Sequence, residues 1–276
     1  MGRDAINRVS IKTSILAMNK VKMESTPTKR FSERARFYDK YRPGYPKEII
    51  DLMKSECGLT SSSVIADIGS GTGILSEMFL RNGNIVFAVE PNEEMRKVAE
   101  DLLYEYPNFK SINGTAEWTT LEGHSVDFIT VGHAFHWFDL GKTKVEFLRI
   151  LKPGGWVVII WNNRRTDTTP FLTAFEDLLR SYGTDYKKVD PAYFDYQSLS
   201  GFFGKNGYRI ELFENFQVFN FEGLKGRLLS MSFTPMEGHP NYEPMMDELE
   251  RIFLKYQNDG KVIFEYDTRV YFGQMD

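Results

Sequence analysis

The chain has 276 residues, 42% of them hydrophobic and 26% charged, with a formal net charge of -4. That is the balance of a globular protein able to bury a sizeable core, and it gives no electrostatic footprint for nucleic acid. A single cysteine, Cys57, excludes an internal disulfide and any multi-cysteine metal centre, and no run approaches the roughly 18 apolar residues of a membrane span, so the expectation is a cytoplasmic protein with neither nucleic-acid nor membrane partners.

Residues 1 to about 30 are basic and poor in aromatics, with Arg3, Arg8, Lys12, Lys20, Lys22, Lys29 and Arg30 against Asp4 and Glu24. They read as a solvated extension; a transit peptide or a partner-binding amphipathic helix is the alternative. From Phe31 to Pro46 aromatics alternate with arginines, and a helix is expected from Lys47 to about Glu56. Val64–Ile68 is a short β-branched run that enters a turn holding Gly69, Gly71 and Gly73. Ile74, Leu75, Met78 and Phe79 then keep helical spacing, so the stretch reads as strand, tight turn and helix. Glycines at such a turn let a ligand approach the main chain, where the next helix presents its amide donors. The third glycine of a dinucleotide fingerprint would fall at Ile74, and no lysine follows the turn as a phosphate loop requires. Ile85–Glu90 is a strand ending in an acid roughly 20 residues past the first glycine, where a carboxylate can accept both ribose hydroxyls. Met95, on a helix expected from Asn92 to Tyr104 beyond Pro91, is a candidate apolar wall for a base.

Phe109–Ile112 reads as the third strand and Ser125–Val131 as the fourth. The fourth opens onto Gly132, His133, Phe135, His136, Trp137, Phe138 and Asp139. A helix to about Ile150 is expected to close at Leu151–Gly155, before a buried fifth strand, Trp156–Trp161. Residues 166 to about 196 look helical and tyrosine-rich. Tyr208–Phe221 reads as a strand in two halves, Leu224–Met231 and Tyr242–Tyr256 as helices, and Lys261–Phe272 as a final strand. Alternation of strands and helices implies a parallel sheet with ligands at its carboxyl ends. Asp67, Glu90, Thr115, Gly132 and Trp161 all fall at such ends, which points to one site. His133 and His136, at the mouth of the fourth strand, are candidate general bases; hydrogen-bonded structural imidazoles are the competing reading. Trp137 and Trp161 are candidate walls of the substrate cleft. Asn162, Arg164 and Arg165 could meet an anionic substrate, or belong to a solvated loop. No His, Cys or carboxylate cluster has metal-ligand spacing.

The Asp67-x-Gly69-x-Gly71-x-Gly73 motif, the F-H-W-F-D stretch (Phe135–Asp139), the K-P-G-G turn (Lys152–Gly155) and the W-N-N-R exit (Trp161–Arg164) carry a resemblance. From about Phe31 to Arg165 the chain resembles the class I S-adenosylmethionine-dependent methyltransferases, in a small-molecule branch near the trans-aconitate methyltransferases. The resemblance implies an α/β, doubly wound, Rossmann-like sheet of seven strands, mostly parallel with an antiparallel edge. It also implies a methyltransferase domain over residues 31–276, with cap elements at about 31–46, 166–200 and 222–258 over the substrate. The implied cofactor is S-adenosylmethionine. Asp67, Gly69, Ser70, Gly71 and Gly73 would surround its methionine part, with Tyr38, Tyr41 or Arg42 closing over that end. Glu90, Pro91 and Met95 would take the adenosine, and Gly132 and His133 would line the pocket. Where the family often has an aspartate accepting from the adenine amino group this chain has Thr115, so Thr115, Ala116 or Glu117 would have to serve. The implied reaction is methyl transfer to a small molecule, with oxygen, and a carboxylate in particular, as the expected acceptor. A non-catalytic cofactor-binding regulator and an NAD-dependent dehydrogenase are the alternatives.

Overall fold

A computed structural model of the chain describes residues 41–184, 186 and 196–275. Helix α1 (Glu48–Cys57) precedes β1 (Val64–Ile68), α2 (Ile74–Arg81), β2 (Ile85–Val89), α3 (Glu93–Leu103) and β3 (Phe109–Ile112). Strand β4 (Val126–Gly132), a 3-10 turn (Phe135–Trp137), α4 (Leu140–Ile150) and β5 (Leu151–Arg164) follow. The chain continues through α5 (Pro170–Tyr182), α6 (Tyr196–Phe203), β6 (Arg209–Phe219), α7 (Phe221–Leu229), α8 (Tyr242–Tyr256) and β7 (Val262–Gly273).

Seven strands form one sheet in the order β3-β2-β1-β4-β5-β7-β6. The first five are mutually parallel, and β7 runs antiparallel to both of its neighbours. Strand order reverses between β1 and β4, so a crevice opens there at the carboxyl ends, the place where open α/β sheets bind ligands. Both faces are covered, which is why the central strands are almost wholly apolar. On one face Ile65, Val86, Phe128 and Ile160 pack against α1 and α2 through Ile49, Met53, Leu75 and Phe79. On the other, Ala66, Ile68, Ile129 and Ile159 meet Phe147 of α4 and Leu199, Phe202 and Phe203 of α6. Side-chain caps start the helices beside the crevice: Asn92 accepts from Met95 N–H ahead of α3, and Asp139 from Lys142 N–H ahead of α4.

A separate apolar cluster holds α5, α7 and α8 on the ends of β6 and β7, through Phe171, Phe175, Leu224, Leu228, Leu249 and Phe264. Inside it Arg164, at the end of β5, is ion-paired to Glu176 of α5, and each side chain is only 10% exposed. The Tyr186 hydroxyl donates to the same carboxylate. The pair anchors these helices, referred to as the cap, to the sheet.

Three sequence expectations are revised. Strand β5 begins at Leu151, which pairs with Val126, and pairing resumes at Phe128 with Trp156. The Lys152–Gly155 turn is therefore a bulge inside a longer strand, with Gly154 at φ +77° and Lys152 ion-paired to Asp127. Strand β6 is continuous, because Glu214 and Asn215 keep register with Asp267 and Tyr266. Helix α7 starts at Phe221, where Asn220 caps it by accepting from Gly223 N–H. The proposed 1–30 extension, Tyr38 and residues 187–195 lie outside the described residues.

Candidate active site

The glycine turn after β1 folds back onto β2: Gly69 N–H and Ser70 N–H both donate to the Val89 carbonyl, at 2.8 and 3.2 Å. A Cβ on Gly69 would sit 2.5 Å from that of Ala134, whereas nothing lies within 4 Å of the corresponding point on Gly71 (φ +58°). The turn is thus closed on the side of the β4 exit and open above Gly71, where a ligand can reach the backbone. Gly73 does a different job from the one expected. At φ +87° its missing Cβ leaves room for Leu103 of α3, which would otherwise lie 2.6 Å away, so it serves helix packing. Asp67 is fully buried under the turn, accepting from Ser76 Oγ at 2.7 Å and Thr130 Oγ1 at 3.2 Å. Burial raises its pKa to about 6, although both hydroxyl bonds oppose the shift.

Glu90, at the end of β2, closes the next wall. One carboxylate oxygen accepts from Gly71 N–H at 3.0 Å and the other from Asn92 N–H at 2.9 Å. Burial raises its pKa, and these two backbone bonds hold the shift down. The carboxylate therefore ties the glycine turn to the cap of α3 while its remaining lone pairs stay available. Pro91, Met95, Thr115, Ala116 and Glu117 continue this half of the cleft with Trp137 and Phe138. Thr115 bonds through its backbone to Trp118, and Glu117 accepts from Asp139 N–H. The other half is lined by Arg42, Pro43, Tyr45, Asp67, Ser70 and Thr72. Gly69, Gly71, Gly132 and His133 belong to both halves.

His133 follows β4 in a left-handed conformation, φ +55°, which costs energy for a residue with a Cβ and is held by its surroundings. Its N–H donates to the Ile160 carbonyl, and its ring Nε2 accepts from Asn162 N–H at 2.7 Å. The imidazole so replaces a strand carbonyl as partner for β5. That bond commits Nε2 as an acceptor and leaves the proton on Nδ1. Burial, with Arg42, His136 and Arg227 nearby, holds its pKa well below the ordinary value. His133 is thus a neutral donor, and the expected base role is withdrawn. His136 sits between Trp137 and Trp161, with ring centroids 4.4 and 5.1 Å away. Desolvation lowers its pKa to about 4, while its outer edge stays accessible.

Two expected substrate residues are built into the fold. Asn162 donates to the Gly44 carbonyl at 3.2 Å and accepts from Thr268 Oγ1 and Asn215 Nδ2. It pins the Tyr41–Pro46 strap to the antiparallel edge. Arg164 faces the cap, where Glu176 neutralises it, and Arg165 pairs with Asp267 and Glu214. Asn162 and Arg164 belong to β5, which runs on to Arg164, whereas Arg165 opens the loop that follows, half-buried against its two carboxylate partners. Sequence reasoning missed Thr72, Tyr45 and Phe138. Thr72 lay inside the glycine motif and was legible there; Tyr45 and Phe138 reach the cleft through tertiary packing alone.

The cleft fits a nucleoside cofactor bearing a charged tail. Thr72 Oγ1 is buried beside the turn without a hydrogen-bond partner among the described residues. Open space lies above Gly71, and the Glu90 carboxylate adjoins an apolar wall that includes Met95. A sheet of this order, with that turn and acid at its reversal point, defines a nucleotide-cofactor enzyme of the doubly wound class. Residues 66–159 match the family model described as a methyltransferase domain. An uncharacterized methyltransferase-like protein of Schizosaccharomyces pombe, C25B8.10, is 28% identical over 256 residues, covering 90% of this chain and 96% of that one. The uncharacterized methyltransferase Rv3342 of Mycobacterium tuberculosis is 36% identical over 127 residues, covering 46% of this chain and about half, 49%, of that one. A malonyl-[acyl-carrier protein] O-methyltransferase of a Marinomonas species is 31% identical over 138 residues, covering 47% and 49%. A solved structure from Anaeromyxobacter dehalogenans, provisionally assigned as a type II methyltransferase, superposes with TM-score 0.66 at 19% identity over 85% of this chain and 98% of that one. The chain carries a class I S-adenosylmethionine-dependent methyltransferase domain; it is an enzyme, and S-adenosylmethionine is its cofactor.

Proposed function

We propose that the protein transfers a methyl group to an oxygen of a small-molecule carboxylate, in the cytoplasm and without nucleic-acid or membrane partners. The carrying observation is the state of the two histidines at the β4 exit. His133 has its Nε2 lone pair committed to Asn162 N–H, and His136 has a pKa of about 4. Neither is matched to removing a proton near pH 7. An acceptor that arrives already ionised needs no such step, and a carboxylate is ionised near pH 7. The relative whose name places the methyl on an oxygen of a malonyl-bearing substrate supports the same reading.

Bound S-adenosylmethionine supplies an electrophilic methyl on its sulfonium. Glu90 accepts from the ribose hydroxyls, Pro91 and Met95 cover the base, and Thr115, Ala116 and Glu117 close its edge. Asp67, Gly69, Ser70, Gly71 and Arg42 hold the methionine end, while Gly132 and His133 form the floor shared by both halves. The aromatic wall of His136, Trp137 and Trp161 orients the acceptor and excludes water. In-line displacement gains much of its rate from such positioning.

Incubation with labelled cofactor and a metabolite extract, followed by identification of the methylated product, tests this directly. A methyl ester is expected; an N-methyl or C-methyl product overturns the carboxylate assignment. His136→Ala should lower turnover at unchanged cofactor affinity, by the same factor at pH 6 and pH 8.

A further inference from the structure

We propose that Asn215 and Gln217 of β6 are positioning residues for the cofactor, holding the Tyr41–Pro46 strap by its carbonyls over the methionine end. The inference deepens the function proposed above and rests on the placement of that end under the strap. Successive side chains of a strand point to opposite faces, and β6 alternates in this way. Ile210, Leu212, Phe216 and Val218 are exposed on one face, whereas Phe213 on the other packs against the same core cluster as Tyr45 of the strap. Asn215 and Gln217, both half-buried, share the face of Phe213. Asn215 Nδ2 donates to the Gly44 carbonyl at 2.9 Å, and Gln217 Nε2 to the Tyr41 carbonyl at 3.3 Å. Two amides on one face of the edge strand therefore grip two carbonyls of the strap.

Each amide is oriented from behind by the neighbouring strands. Asn215 Nδ2 also reaches Asn162 Oδ1 at 3.3 Å, and that oxygen accepts from the hydroxyl of the fully buried Thr268. The hydroxyl of the buried Tyr266 donates to Gln217 Oε1 at 2.8 Å, which turns the NH2 end toward Tyr41. Asn162 adds a second donor to the Gly44 carbonyl. The strap in turn contributes Arg42, Pro43 and Tyr45 to the methionine half of the cleft, together with Asp67 and the glycine turn. That half is the tighter one, about 40 Å³ against about 260 Å³ on the adenosine side. No strap residue lines the adenosine side. A misplacement of about 1 Å is enough to spoil positioned contacts, so where β6 holds the strap decides how well the amino-acid tail is bound.

The test titrates the full chain by calorimetry with S-adenosylhomocysteine and with 5′-methylthioadenosine, which keeps the adenosine and the sulfur but has no amino-acid tail. Wild type should bind S-adenosylhomocysteine at least about tenfold tighter than 5′-methylthioadenosine. Asn215→Ala should weaken S-adenosylhomocysteine about fivefold and leave 5′-methylthioadenosine within about twofold of wild type. Asn215→Asp keeps the size but sets an acceptor against the Gly44 carbonyl, so it should lose as much or more. Gln217→Glu does the same at Tyr41 and should show the same loss confined to the ligand with the tail. Equal losses for the two ligands report general destabilisation and overturn the inference. So does S-adenosylhomocysteine affinity within about twofold of wild type in either acid variant. Should Asn215→Ala not fold, the two acid variants carry the comparison on the same criteria. Wild type that binds both ligands equally overturns the placement of the tail under the strap and this inference with it, whereas equal losses in the variants overturn this inference alone. No acceptor is present, so the carboxylate reading is tested separately by its methylated product.

Discussion

Removing the Glu90 carboxylate is the most informative single perturbation of the cofactor half. In the free enzyme its two oxygens accept from Gly71 N–H at 3.0 Å and Asn92 N–H at 2.9 Å. Hydrogen bonds to a charged partner contribute about 1.5–3 kcal/mol each. Two ribose hydroxyls on the same carboxylate place about 3–6 kcal/mol at stake in binding, and water entering the space left by Ala returns part of it. A net loss of about 3 kcal/mol corresponds to roughly a hundredfold weaker S-adenosylhomocysteine in Glu90→Ala, at about 1.4 kcal/mol per decade. Glu90→Gln keeps the size but sets an amide NH2 against one of the two backbone N–H donors, so it should lose about tenfold or more. Orphaned amides also lower stability, which a binding constant alone does not separate. The 2′,3′-dideoxy analogue of S-adenosylhomocysteine separates them: titration calorimetry should give a large deoxy penalty in wild type and almost none in Glu90→Ala. A Glu90→Ala variant that binds within threefold of wild type, or that keeps the full deoxy penalty, would refute the ribose assignment.

Three further outcomes follow from the geometry. Asp67 has its folded pKa raised from 3.8 to about 6 by burial, so the folded protein holds the extra proton between those values and stability falls as pH rises through that window. Asp67→Asn should flatten that slope in urea titrations and raise apo stability at pH 7.5 by up to about 3 kcal/mol, while weakening the cofactor; an unchanged slope sinks the assignment. Glu176→Ala leaves the Arg164 guanidinium buried without its ion-pair partner and should cost about 3 kcal/mol, or roughly 6–12 °C in Tm; a shift under 2 °C contradicts it. Gly132→Ala would place a Cβ 2.5 Å from the Tyr45 hydroxyl, so it should weaken cofactor binding about tenfold, and adding Tyr45→Phe should restore most of the loss; an additive double variant argues that Tyr45 is not what moves.

Much of the Rossmann-like half was legible in the chain because its determinants are local. The strand Val64–Ile68, the three glycines, the acid after β2 and the helix Tyr242–Tyr256 each follow from short-range pattern, turn chemistry or spacing. Their gathering at one sheet edge follows from alternation alone. The parts that escaped depend on contacts between residues far apart. The Lys152–Gly155 turn is a bulge because β4 holds both flanks in register. Asn162 and Arg164 looked available for a substrate until Gly44, Thr268 and Glu176 used their polar atoms.

The sequence by itself determined the class of sheet, the glycine turn and the Asp67 and Glu90 positions that point to S-adenosylmethionine. Tertiary structure decided what each polar side chain is still able to do. His133 reads as a candidate base or a structural imidazole in one dimension; in three it completes the β5 ladder through Nε2 and becomes a donor. Asn215 and Gln217 carry no local signal, and only the pairing of β6 with β7 sets their amides against the strap. The physical reason is that backbone conformation is encoded by neighbours along the chain, whereas protonation, tautomer and charge pairing depend on burial and on partners from remote strands.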